Sequence, residues 1–131
     1  MLISIRLLSP ILGLILAAGV QAAPVPGTSV SLEPPAGFAL SDRFAGFMAP
    51  ASGASIAVSE LPGRFAELRA AFLDDTRLRA QGMTRVGHEA ALIDQHQALW
   101  LETTQAKAGL EYRKWLLLVE RPEGVALLVA T

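Results

Sequence analysis

"LEYRKWLLLVERPEGVALLVAT", residues 110 to 131, decides how this chain folds. Two apolar runs flank Arg121-Pro122-Glu123-Gly124, and a Pro- and Gly-bearing turn between such runs reads as an antiparallel hairpin. Trp115 to Val119 is apolar at every position. A strand of that kind is covered on both faces and belongs in the middle of a sheet. In the second run Val125, Leu127 and Val129 alternate with Ala126, Leu128 and Ala130, so both of its faces also expect cover. No charge, proline or bulge-forming glycine guards residues 125 to 131. The expectation is therefore an incompletely covered strand at the end of a sheet. Val125, Leu127 and Val129 would then form a surface for a partner protein or a second copy of the chain.

Upstream, the same period of two continues. "MTRVGHEAALI" leads to a turn at Asp94-Gln95-His96, then "QALWLETTQ", then a turn near Ala108-Gly109. Such short spacing leaves no room for crossover helices, so neighbouring strands should pair as a meander. Before it, Phe65, Leu68, Phe72 and Thr76 recur at helical spacing with Leu73 and Ala80 beside them, while Glu67, Asp74 and Arg77 lie opposite. This predicts one amphipathic helix over Arg64–Gln81, with Phe72 in the core and Asp75 and Arg79 placed to pair one turn apart. Gly82 sits where a left-handed C-terminal cap would fall. "ASIAVSEL", from Ala54, alternates as a half-buried strand that Pro62-Gly63 ends. Val30–Leu32 reads as a short strand broken at Pro34-Pro35, with further extended pieces from Phe38 and over Phe44–Met48. The expected fold class is α+β: an antiparallel sheet of about five to seven strands with one main helix packed on one face.

The chain has 131 residues, 52% of them hydrophobic and 18% charged, which suits one domain. Its positive mean hydropathy of +0.42 is concentrated at the start. There a single cation, Arg6, precedes an apolar run from Leu7 to Val20, and Val20-Gln21-Ala22 fits the small-x-small pattern of signal-peptidase cleavage. Pro10 and Gly13 interrupt the run, which is shorter than the ~20 apolar residues of a bilayer-spanning helix. Residues 1–22 are thus expected to be a removed signal peptide and 23–29, "APVPGTS", a flexible lead. Residues 30–131 are expected to form one α+β domain that is periplasmic or secreted. With no cysteine, neither a disulfide nor a lipid-attachment thiol is available. The formal net charge of −1 comes with no basic stripe, which argues against nucleic acid and against a membrane surface after cleavage.

Several stretches occur in one order that resembles a known fold. They are "VSLEPPAGF", "ASIAVSELP" before the "RFAEL" helix, "QGM" after it, and "GLEYRKWLLLVE" followed by "VALLVAT". Together they resemble the PsbP-like fold, also seen in the Ran-binding Mog proteins, and most of all its small exported bacterial members. The resemblance spans nearly all of residues 23–131. It rests on turn glycines and strand-spaced apolar residues, and it transfers no catalytic residue. It implies a binding or assembly role, and in that group a further helix usually follows the strand equivalent to "VALLVAT". This chain carries nothing there, so the resemblance implies a shortened member or a cover supplied by another chain.

The chemical candidates are few. His88, Glu89, Asp94 and His96 form the one group that suggests a metal or acid–base site, with Asp94-x-His96 on a hairpin turn and His88 and Glu89 on the paired strand. Zinc needs three or four convergent donors, and two histidines outside a helical register fall short of that. A polar hairpin tip explains the same residues. Ser41-Asp42 and Ser59-Glu60 lack a nucleophile elbow. Gly46, Gly53 and Gly63 lack the strand–loop–helix setting of a phosphate loop. Trp100 and Trp115 read as core rather than cleft, and Glu111, Arg113 and Lys114 as a solvated patch. The expectation is a non-catalytic binding or accessory domain acting by protein–protein contact, with no catalytic residue, cofactor or metal. The alternative is a small metal-dependent hydrolase using His88, Glu89, Asp94 and His96.

Overall fold

The computed structural model describes the backbone of Ile3–Arg6 and residues 22–131. The apolar run Leu7–Val20 and the expected cleavage site, but for Ala22, lie outside the described residues. Among the described residues, no helix is long and apolar enough to cross a membrane.

A large antiparallel sheet dominates, with two short helices on one face, as the α+β reading expects. Its strands are β4 (Ala39–Leu40), β5 (Gly46–Ala49), β6 (Ala54–Leu61), β7 (Met83–Ile93), β8 (His96–Lys107), β9 (Leu110–Arg121) and β10 (Gly124–Ala130). A second, smaller sheet holds β1 (Ile3–Arg6), β2 (Ala23–Pro24) and β3 (Val30–Glu33) in the order β1-β3-β2. The large sheet runs β4-β5-β6-β10-β9-β8-β7. The chain lays down β4 to β6, crosses to the far edge, and returns strand by strand until β10 pairs with β6. Each return is a tight hairpin. Ile93 pairs with His96 across Asp94 and Gln95, whose φ angles of 47° and 66° make a two-residue turn with both centres left-handed. Ala108 and Gly109, at 53° and 77°, do the same between β8 and β9. Such turns match the right-handed twist of the strands they join.

The crossover carries helices α1 (Phe65–Phe72) and α2 (Asp75–Ala80). This corrects the single helix Arg64–Gln81. The break falls at Leu73-Asp74, where the Asp74 carboxylate accepts hydrogen bonds from the N–H groups of Thr76 and Arg77 at 3.0 and 3.3 Å. An aspartate so placed starts a new helix instead of continuing the old one. The phase of the apolar stripe resets there. Leu78 is buried, Phe72 is half-buried and Thr76 is exposed. Asp75 reaches forward to Arg85 of β7 at 3.1 Å, not to Arg79. Gly82 closes α2 at φ +73°, as its position predicts.

Each face of the sheet carries a layer from the same chain. On the helix face, Phe65 packs with Leu99, Leu118 and Val125, and Leu78 packs with Met83, Leu101 and Leu116. On the opposite face, Val25, Val30 and Leu32 close over Phe47, Ile56, Val58, Leu117, Val119, Ala126 and Leu128. Burying each such aliphatic side chain stabilises the fold by about 1.5–3 kcal/mol. β9 is buried from Leu116 to Val119, as its unbroken apolar run requires.

Two expectations are corrected by this arrangement. β10 is not a terminal edge, because β6 and β9 pair with it on either side and Thr131 exchanges backbone bonds of 2.9 and 3.1 Å with Ser55. The lead at residues 23–29 is packed instead of loose. Val25 is fully buried, its N–H donates to Val30 O at 2.9 Å, and the Thr28 hydroxyl donates back to Val25 O at 2.8 Å. Apolar Val25 and Val30 drive that closure, since leaving the apolar sheet face bare would be costlier than ordering a few residues.

Candidate functional site

The helix layer leaves part of its sheet face open, and a groove of about 370 Å³ forms there beside α2. Its floor is Phe72, Leu78, Met83, Leu116, Leu127 and Val129, contributed by α1, α2, β7, β9 and β10. Strand parity assembles it: Leu116 pairs with Val129, and Leu118 with Leu127, so these side chains share one face. Arg77, Gln81, Gln105 and Lys114 stand around the rim. The rim is anchored. The Gln105 side-chain amide donates to Gln81 O at 3.1 Å and the Ala106 N–H to Gly82 O at 3.1 Å, which pins the end of α2 onto β8. Buried Thr103 donates its hydroxyl to Lys114 O at 3.3 Å and holds β9 in place below the rim.

The residues expected to form a partner surface divide. Val125 is 1% exposed and belongs to the core, whereas Leu127 and Val129 are half-buried and line the groove. That surface is therefore a groove floor and not a strand edge. Of the sequence's own signals, only the alternation of β10 pointed here. Met83, Gln105 and Lys114 join the site through pairing of strands that no local pattern announces.

The histidine–acid group does not converge. His88 pairs with Leu101 and Ile93 with His96, so the two histidines stand five residues apart along the β7–β8 ladder, roughly 17 Å at strand rise. Glu89 points to the face opposite His88. Exposed His88 has its Nδ1 at 3.4 Å from an Arg85 guanidinium nitrogen. Among the described residues, no group of three or more metal-ligating side chains is close enough to hold an ion. Trp100 packs beside the core under the N-terminal layer, and Trp115 is half-buried. Arg113 meets Glu102 at 3.6 Å on the surface.

A polar clasp escaped sequence reading. Glu60 Oε1 accepts from the Ser29 N–H at 2.7 Å, from the Ser29 hydroxyl at 2.5 Å, and from the Arg121 guanidinium. The Ser29 hydrogen bonds, with the Arg121 charge behind them, hold the Glu60 carboxyl below its ordinary value of 4.5 against an opposing effect of burial. The clasp ties the N-terminal layer to β6 and β9. It ties the two layers through one carboxylate.

No family model matches this sequence, and no curated protein matches it. A solved structure does. PA94 from Pseudomonas aeruginosa, a protein of unknown function, superposes with a TM-score of 0.52 at 20% identity, over 59% of this chain and 56% of that one. The chain thus spans little more than half the length of that relative, and the likeness concerns the fold alone.

Proposed function

We propose that this protein is an exported, non-catalytic binding or accessory domain of the PsbP-like kind, which works by seating apolar groups of a partner protein in the groove beside α2. The groove carries this reading. It is concave and lined by apolar side chains from five elements, with a small set of polar groups at its rim, the usual composition of a recognition site. Its floor is held on helices and strands instead of loops, so it is present before any partner arrives. A titration with N-phenyl-1-naphthylamine, an uncharged apolar probe, tests it. Saturable binding with a blue-shifted emission is expected for the native protein. Ala71→Trp, at a half-buried groove-lining position on α1, should block the groove and abolish the signal while the far-ultraviolet circular dichroism stays unchanged. Probe binding that survives in this folded variant would place the apolar site elsewhere and end the reading.

A further inference from the structure

The groove's rim says more about its occupant than its floor does. Every charged side chain that lines it is a cation, Arg77 or Lys114. Arg77 is already shared with Asp74 at 3.7 Å. Half-buried Lys114 has no ion-pair or hydrogen-bond partner for its ammonium among the described residues. A single unneutralised positive charge beside an apolar floor is matched by a monoanion. A carboxylate fits this better than a phosphate, whose charge near neutral pH approaches two. Two amide side chains, Gln81 and Gln105, complete the rim and offer donors and acceptors suited to a peptide backbone.

We infer that the groove's occupant is the free C-terminus of a partner polypeptide ending in aliphatic residues. Their side chains lie on Leu116, Leu127 and Val129, and the terminal carboxylate faces the Lys114 ammonium. This rests on the groove being the binding site proposed above.

The test uses N-acetyl-Leu-Leu with a free carboxylate, its C-terminal amide, and octanoate, each titrated into the full-length protein. Methyl resonances of Met83, Leu127 and Val129 are followed. The free acid should shift these methyls and bind about fivefold more tightly than the amide, a difference of ~1 kcal/mol as expected for one partly exposed charge pair. Lys114→Gln should erase the difference between acid and amide. Equal binding of acid and amide overturns the carboxylate inference and leaves the groove reading intact. Octanoate binding at least as tightly as the peptide acid overturns the choice of a polypeptide end. No shift of the groove methyls by any of the three, at millimolar concentration, overturns both readings together.

Discussion

Glu60 shows how one side chain can join two layers that no local pattern connects. Its carboxylate receives both donors of Ser29 and the Arg121 guanidinium, and the Ser29 bonds are the larger cause of its lowered proton affinity. Because the folded value lies below the unfolded value of 4.5, the charged clasp contributes its full stability above 4.5 and loses it as pH falls through the lower folded value. Glu60→Gln removes this contribution at every pH. The native protein should therefore melt above the variant near neutral pH, and the gap should close as the pH is lowered through and below 4.5. Thermal melts of both proteins across that range check the prediction. A gap that stays constant would mean that the carboxylate's charge plays no part. Gly46 is a second single-residue constraint. At φ +144° a Cβ there would stand 1.9 Å from Ile56 O, so β5 approaches β6 this closely only because the residue has no side chain.

At the level of elements, the crossover between β6 and β7 holds two helices because Asp74 caps the second one. Read as a continuous stripe, Phe65, Leu68, Phe72 and Thr76 fit one long helix. The side-chain bonds from Asp74 to the N–H groups of Thr76 and Arg77 restart the helix and turn Leu78, not Thr76, toward the sheet. Asp74→Ala should cost about 1 kcal/mol, the ordinary loss for an N-cap. Leu78→Ala should cost about 2–4 kcal/mol, because a buried leucine leaves both a transfer loss and a cavity. Urea unfolding of the two variants compares them directly. A Leu78 variant no less stable than the Asp74 variant would show that α2 is not anchored by that side chain.

For the whole molecule, the decisive feature is that β10 lies between β6 and β9, with helices over one face and the N-terminal layer over the other. An interior strand presents no unpaired backbone for edge-to-edge association. The chain should accordingly unfold cooperatively, with a melting temperature independent of protein concentration. Calorimetry over a wide concentration range measures this. A melting temperature that climbs with concentration would mean that a second copy supplies part of the cover.

Much of this architecture is written locally. The alternation in residues 54–61, the unbroken apolar run at Trp115–Val119, and the turns at Asp94-Gln95, Ala108-Gly109 and Pro122-Glu123 each specify an element within a few residues of themselves. The reason is that periodicity and turn chemistry act over a single ladder or loop. The same patterns state that Val125–Ala130 needs cover on both faces; the N-terminal layer closes over Ala126 and Leu128, while on the helix face Val125 is buried and Leu127 and Val129 stay half-buried. Periodicity records how many faces of a strand are buried but not what buries them. Whether β10 would be an edge or a centre depended on where the crossover set down β7, and so on the pairing of Val125 with Leu61, 125 − 61 = 64 residues earlier in the chain. The groove arose the same way. Leu116, Leu127, Val129 and Lys114 share one face only because β9 and β10 pair in that register, and α2 borders it only because Gln105 and Gly82 pin its end. Local sequence determined the elements of this protein and the faces they bury. Its tertiary structure alone decided what covers the last strand and where a binding surface remains, because both depend on contacts between residues far apart in the chain.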